Sequence, residues 1–327
     1  MSKKNNKLKY VVPVLGLAGT ALYSLGSRLN EFVLSKDSSS KTRVINEDDK
    51  ISLTREASER IRDNRQRELE IGRSFEKDCE EATINSEDGL ILRAKYKLVD
   101  QSHIWALLVH GYKADNMQMM PYAKPYYDRG YNVLMPDNRA HGESDGNYVG
   151  MGYLDMKDLI CWIDWILERD PAAKIIMHGI SMGAAAVMMV AGERPAGVVG
   201  YVEDCGYTDA YSIIESEFKK RNKRRMPYDA LMKLSNFVAK INSGYSYDQA
   251  SAIDQVKKAD KPIMFIHGAK DDFVPVTMGY ELYYTAGVPK DFYLVIQAGH
   301  AQVKDYDPIA YWNKVFSFID TKVLKEG

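Results

Sequence analysis

The sequence holds few cysteines: Cys79, Cys161 and Cys205, far apart and with no C-x-x-C pair. That spacing excludes a disulfide framework and a cysteine-built metal knuckle. Cys161 falls within an apolar helical pattern, where a thiol serves as a small core residue. Neither sign of charge is in excess. The chain has 44 lysines and arginines against 45 acidic residues, a net charge of −1, so it lacks the basic footprint of a nucleic-acid partner. Long uncharged runs are scarce too. The one near the start extends from Tyr10 to Leu25, somewhat short of the ~20 apolar residues of a spanning helix. What is present is ordinary globular composition, 45% hydrophobic and 27% charged over 327 residues, enough for one large α/β domain with additions.

The uncharged run follows Lys3, Lys4, Lys7 and Lys9 and ends before Arg28. Three readings of residues 1–34 are open. In a single-pass membrane anchor the lysines stay cytoplasmic and the domain lies outside, with Pro13, Gly16 and Gly19 tolerable in the span. A cleaved signal peptide fits the basic start, but no A-x-A site follows. An apolar helix packed on the domain is the third. The anchor is the expectation, with a secreted or cytoplasmic protein as the alternative. Residues 35–74 divide into a polar stretch and a segment dense in both charges. Glu56 and Arg60 stand four apart there, as on a solvated helix, and no chemistry is assigned to it.

From residue 75 onward, strand and helix patterns alternate. Glu81–Asn85 and Leu90–Val99 read as strands about the turn Glu87-Asp88-Gly89. Ile104–Val109, Asn132–Met135, Lys174–His178, Val198–Val202, Ile263–Ile266 and Phe292–Ile296 read as further strands. Helices are expected over 115–129, 153–169, 184–190, 278–286 and 308–321. Over 153–169, Met156, Leu159, Ile160, Ile163, Ile166 and Leu167 share one face. The fold class is therefore α/β, a mostly parallel sheet covered on both faces.

The stretch that carries chemistry is Gly179-Ile180-Ser181-Met182-Gly183. A chance G-x-S-x-G occurs in about one chain in ten of this length, so the weight rests on context. An apolar strand precedes it and an Ala- and Met-rich helical run follows, which is the strand–turn–helix setting of a nucleophile elbow.

On these residues the chain resembles the α/β-hydrolase superfamily from about residue 78 to its end, and within it bacterial esterase-like serine hydrolases with an N-terminal apolar segment. The resemblance implies a triad in the order Ser, acid, His. Ser181 is the nucleophile it selects. His300, in Ala298-Gly299-His300-Ala301 after the last strand, is the base. His110 and His267 resemble structural H-G turns, His178 packs in the sheet, His141 lies in a loop near the site and His103 is exposed. His267-Gly268-Ala-Lys-Asp271-Asp272-Phe-Val274-Pro275 matches the family's H-G-x-x-D-x-x-V-P register and selects Asp271 as the acid. Asp272 and Asp204 are its substitutes. The implied oxyanion donors are the amides of Met182 and Tyr112, although the family's H-G-G-G form is replaced by His110-Gly111-Tyr112-Lys113.

An insertion at about 207–261 is expected to form a helical cap over the serine. It carries Tyr207, Tyr211, Phe218, Tyr228, Phe237, Tyr245 and Tyr247, which fit cap packing or an acyl pocket. Its basic run 219–225 reads as a solvated helix end, or as contact with an anionic membrane or acidic substrate. The function implied is acyl transfer from carboxylic esters, with no metal or organic cofactor. A serine peptidase, or a non-catalytic membrane-tethered binding protein, is the alternative. The partners expected are a small or lipid-like acyl substrate and, through the N-terminal segment, a membrane.

Overall fold

A computed structural model describes residues 20, 22–31, 33–36, 53–221 and 228–325. At its centre is a sheet in the order β1-β2-β4-β3-β5-β6-β7-β8. The strands are β1 (Glu80–Asn85), β2 (Ile91–Lys97), β3 (Ile104–Val109), β4 (Asn132–Pro136), β5 (Lys174–Ile180), β6 (Val198–Asp204), β7 (Ile263–Gly268) and β8 (Lys290–Val295). Only β2 opposes the others, pairing antiparallel with β1 and β4. From β4 through β3, β5, β6 and β7 to β8 every ladder is parallel.

The helices are α1 (Arg55–Glu76), α2 (Met120–Asp128), α3 (Tyr153–Arg169), α4 (Met182–Glu193), α5 (Ala210–Arg221), α6 (Tyr228–Ser243), α7 (Ala252–Val256), α8 (Val276–Thr285), α9 (Val303–Tyr306) and α10 (Pro308–Phe318). They cover both faces, and β3 shows how. Its period-2 alternation sends Trp105, Leu107 and Val109 into one core with Trp162 of α3 and Ala185 of α4. Ala106 and Leu108 go into the other, with Tyr126 of α2, Phe75 of α1 and Phe318 of α10. Buried on both faces, the central strands are mostly apolar, with their buried polar residues towards the carboxyl ends, which is why they read as apolar runs. Helix α4 is buried at every position from Met182 to Ala191. A helix apolar all round has no solvent side, and its alanines let it lie close to the sheet.

The predicted N-terminal anchor falls largely outside the described residues. Residues 22–31 of that segment are helical and pack on the domain. No helix among the described residues is long and apolar enough to cross a membrane. Between β6 and β7 the chain forms α5, α6, a 3₁₀ turn (Tyr247–Gln249) and α7. Of the basic run 219–225, Lys219 pairs with Glu215 at 2.8 Å and Lys220 with Glu217 at 2.9 Å within α5.

The sheet order reverses between β3 and β5. β3 hands on to β4 on one side, while β5 hands on to β6 on the other, so a crevice opens at their carboxyl ends. There the G-x-S-x-G glycines are forced. A β-carbon on Gly183 would lie 2.2 Å from the Val109 carbonyl oxygen, and one on Gly179 would lie 2.2 Å from that of Gly183. Both neighbours are backbone and cannot yield. Gly183→Ala is therefore expected to cost about 3 kcal/mol or more of stability, read as a lowered denaturant midpoint or loss of folded protein.

Candidate active site

Ser181 follows β5 and caps α4 with φ 55° and ψ −115°. A non-glycine residue holds this sparsely populated conformation only where its surroundings over-determine it. Here its amide donates to the Asp204 carbonyl at 2.8 Å, and the two glycines fix the chain on either side. The strain holds the hydroxyl at the tip of the turn.

His300 reaches this hydroxyl from the loop after β8. Its Nε2 lies 2.8 Å from Ser181 Oγ, and its Nδ1 lies 2.7 Å from Asp271 Oδ2. An ionised carboxylate only accepts, so Nδ1 carries the proton and Nε2 faces the serine as an acceptor. The Phe273 ring sets its edge against the imidazole, with centroids 5.0 Å apart.

Asp271 follows β7. Its Oδ1 accepts from the amides of Phe273 at 3.0 Å and Val274 at 2.8 Å, which closes the turn. Burial alone would raise its pKa. The charge of His300 and hydrogen bonds from His267 and His300 outweigh burial and hold the carboxyl well below the usual carboxylate range. Of the two substitutes, Asp272 is exposed one residue on. Asp204 is buried and accepts instead from the Tyr311 hydroxyl at 2.9 Å.

The other histidines brace the site. His267 Nε2 donates to the Val274 carbonyl at 3.0 Å and stands 3.4 Å from Asp271 Oδ2. Sequence reading assigned His267 only a structural turn; its second contact, to Asp271, comes from a turn of the chain that spacing does not reveal. His110 Nε2 accepts from the Asn138 amide at 3.0 Å, and His141 Nε2 accepts from the Lys113 amide at 3.0 Å. Burial pushes His110 down to about 3 and His141 to about 4, so both are neutral acceptors. His178 sits between the hydroxyls of Tyr126 and Tyr311, and burial pushes it down to about 3. His103 is exposed and pairs with Asp170.

The His110-Gly111-Tyr112 turn lies against the elbow. A β-carbon on Gly111 would stand 3.5 Å from Ser181 Cβ. The Gly111 amide donates to Gln118 Oε1 at 2.8 Å and the Lys113 amide to His141, which fixes the peptide between them, that of Tyr112. Met182 begins α4, where first-turn amides have no intrahelical acceptor. Met182 directly follows Ser181, and Tyr112 follows Gly111, whose β-carbon position lies against the serine. One cluster among the described residues brings metal-type donors together: Cys205, Asp271 and His300, within 4.8 Å. Two of these already hydrogen-bond each other, and burial pushes the Cys205 thiol up, keeping it protonated.

A contact that the sequence did not suggest joins α1 to the histidine loop. Arg65 Nε meets Asp305 Oδ2 at 2.6 Å, Asn64 Nδ2 donates to the Asp305 carbonyl at 2.9 Å, and Lys304 Nζ meets Glu68 Oε2 at 3.0 Å. Lys304 is 2% exposed and stands over the Tyr122 ring. The dense charges of α1 are therefore not all solvated, since several hold α9 three residues beyond His300.

Residues 115–326 match the prolyl oligopeptidase family, and the chain belongs to it. The uncharacterized protein YqkD of Bacillus subtilis is 28% identical over 216 residues, 65% of this chain and 70% of that protein. The uncharacterized protein Rv2307c of Mycobacterium tuberculosis is 24% identical over 195 residues, 59% of this chain and 62% of that protein. Among solved structures, the Pyrococcus furiosus esterase Pf2001 superposes with a TM-score of 0.61 at 22% identity, over 76% of this chain and 92% of that one. The Pyrococcus horikoshii acylaminoacyl peptidase superposes with a TM-score of 0.56 at 16% identity, over 76% of this chain and 42% of that one. The fold is that of the α/β hydrolases, and its family and neighbours support a hydrolase.

Two predictions follow from the buried charges. Burial pushes Glu203 up to about 8 from 4.5, so the folded chain holds a proton that the unfolded chain releases. Stability from this group is present below pH 4.5, falls as pH rises towards about 8, and stays lost above. Glu203→Gln removes that slope, and its melting temperature should gain on wild type from about pH 5 to about pH 9. Second, Arg65→Ala with Glu68→Ala should speed amide hydrogen exchange across residues 299–307 and leave β5 protected.

Proposed function

We infer that this chain is a serine hydrolase that cleaves ester-like acyl substrates through a covalent acyl-enzyme. The observation that carries the reading is the unbroken hydrogen-bonded run from Asp271 through His300 to the hydroxyl of Ser181, set on a strained elbow at the sheet's switch point.

A serine hydroxyl is a weak nucleophile until a base takes its proton. In this reading His300 Nε2 takes the Ser181 proton as Oγ attacks the substrate carbonyl. Asp271, kept ionised by its neighbours, fixes the tautomer and stabilises the imidazolium. The oxyanion is held by the amides of Met182 and Tyr112, where loss of one donor costs about 10²–10³ in turnover. Met182 adds the positive end of the α4 dipole. His300 then gives its proton to the leaving alcohol, and a water deprotonated by His300 releases the acid.

Peptide-bond cleavage is the second reading. The family's description and the likeness to an acylaminoacyl peptidase favour it, and the same groups would serve with an amine as leaving group. A fluorophosphonate probe applied to the full chain tests the shared chemistry. Labelling should vanish in Ser181→Ala and drop strongly in His300→Ala, with turnover of a p-nitrophenyl ester falling about 10⁴-fold or more in Ser181→Ala. Turnover of acylated peptides above that of esters would favour the peptidase. A folded wild type that neither labels nor turns over any acyl substrate would leave a binding role on a hydrolase scaffold.

A further inference from the structure

Residues 22–31 form a helix laid on α6 of the insertion. Gly26 is the point of closest approach, since a β-carbon there would lie 2.6 Å from Val238 Cγ2 and 3.2 Å from Leu234 Cγ. Tyr23 donates to Asn242 Oδ1 at 2.7 Å, Asn242 donates to Ser27 Oγ at 3.3 Å, and Tyr247 donates to Asn30 Oδ1 at 3.2 Å. Beyond it, the Leu34 carbonyl accepts from the Val149 amide at 2.7 Å, and the Val33 carbonyl accepts from the Tyr112 hydroxyl. The helix is thus held at both ends, on the side of the domain that carries Ser181.

This packing leaves an apolar surface uncovered. Leu22 is 54% exposed, Phe237 66% and Ile241 56%, with Tyr23 and Leu25 also exposed. Single exposed apolar residues are normal. These five come from two helices in contact. Leu22 and Tyr23 lie one turn before Gly26 on its contact row. Phe237 precedes Val238 and Ile241 precedes Asn242, and both Val238 and Asn242 touch the N-terminal helix. On α6 the exposed Lys233 and Lys240 flank Phe237 at helical spacing.

The sequence before this helix says what covers the surface. From Tyr10 to Ala21 there are twelve residues without a charge, preceded by Lys3, Lys4, Lys7 and Lys9. With residues 22–31 committed to α6, twelve are too few for the ~20 that span a bilayer. Exposed apolar residues edged by lysines, as Phe237 and Ile241 are by Lys233 and Lys240, are the pattern of a surface lying in the membrane interface.

We propose that the N-terminal helix and α6 form one membrane-docking surface, which seats the domain on an anionic phospholipid bilayer without spanning it. Leu22, Tyr23, Leu25, Phe237 and Ile241 enter the interface, while Lys233 and Lys240 meet the headgroups. The surface stands independently of the serine chemistry.

The test is flotation of the full chain with phosphatidylcholine vesicles, with and without phosphatidylglycerol, comparing wild type with the double variant Phe237→Glu, Ile241→Glu. Wild type should float, more so with phosphatidylglycerol and less in high salt. The variant's partition should fall about tenfold or more, with its melting temperature and any phosphonate labelling of Ser181 unchanged. Wild type that floats but neither labels nor turns over any acyl substrate would sink the hydrolase reading and leave this one standing. A variant that floats like wild type overturns the proposal. So does a variant whose only change is in oligomeric state, which would make the surface a contact between copies.

Discussion

The carbonyl oxygen of Val109 occupies the space that a β-carbon on residue 183 would need, and the arrangement of the site descends from that contact. Because Gly183 has no side chain, α4 begins directly against the end of β3. The turn before it has no slack, so Ser181 is driven to positive φ. The same closeness brings the His110-Gly111-Tyr112 turn alongside the serine. Strand end, elbow and helix start are one packed unit, and none can be relaxed without moving the others.

Around that unit the protein keeps three buried carboxyls in different states. Asp271 is held ionised by two histidines and two amides, while burial lifts Asp204 to about 6 and Glu203 to about 8. Each ends a parallel strand or follows one, so their Cα positions are close. What separates them is who donates to them: Glu203 receives one hydrogen bond, from the Gly206 amide, and Asp204 that of Tyr311. Pushing the pKa values of neighbouring acids apart gives similar groups different work.

Much of this was legible in the sequence, for local reasons. β3, β5 and β7 read as apolar runs because both their faces are covered. The H-G-x-x-D register singled out Asp271 over Asp272 because the carboxyl of Asp271 closes its own turn on Phe273 and Val274, a constraint contained within four residues. β8 was read two residues late, since it is an edge strand of mixed burial beginning at Lys290. The role of α1 was not legible at all. Nothing near Arg65 or Glu68 says that their partners, Asp305 and Lys304, lie about 240 residues on. The seat of residues 22–31 escaped for the same reason, because Gly26 is ordinary until Val238 is known to sit against it.

The seam between α1 and α9 bears on how the histidine loop is held. Ser181 and His300 stand 119 residues apart, and the loop that carries His300 is gripped by α1, about 240 residues before it. The contacts between α1 and α9 close a loop of about 240 residues, so the position of His300 is set by the same contacts that tie those two helices together.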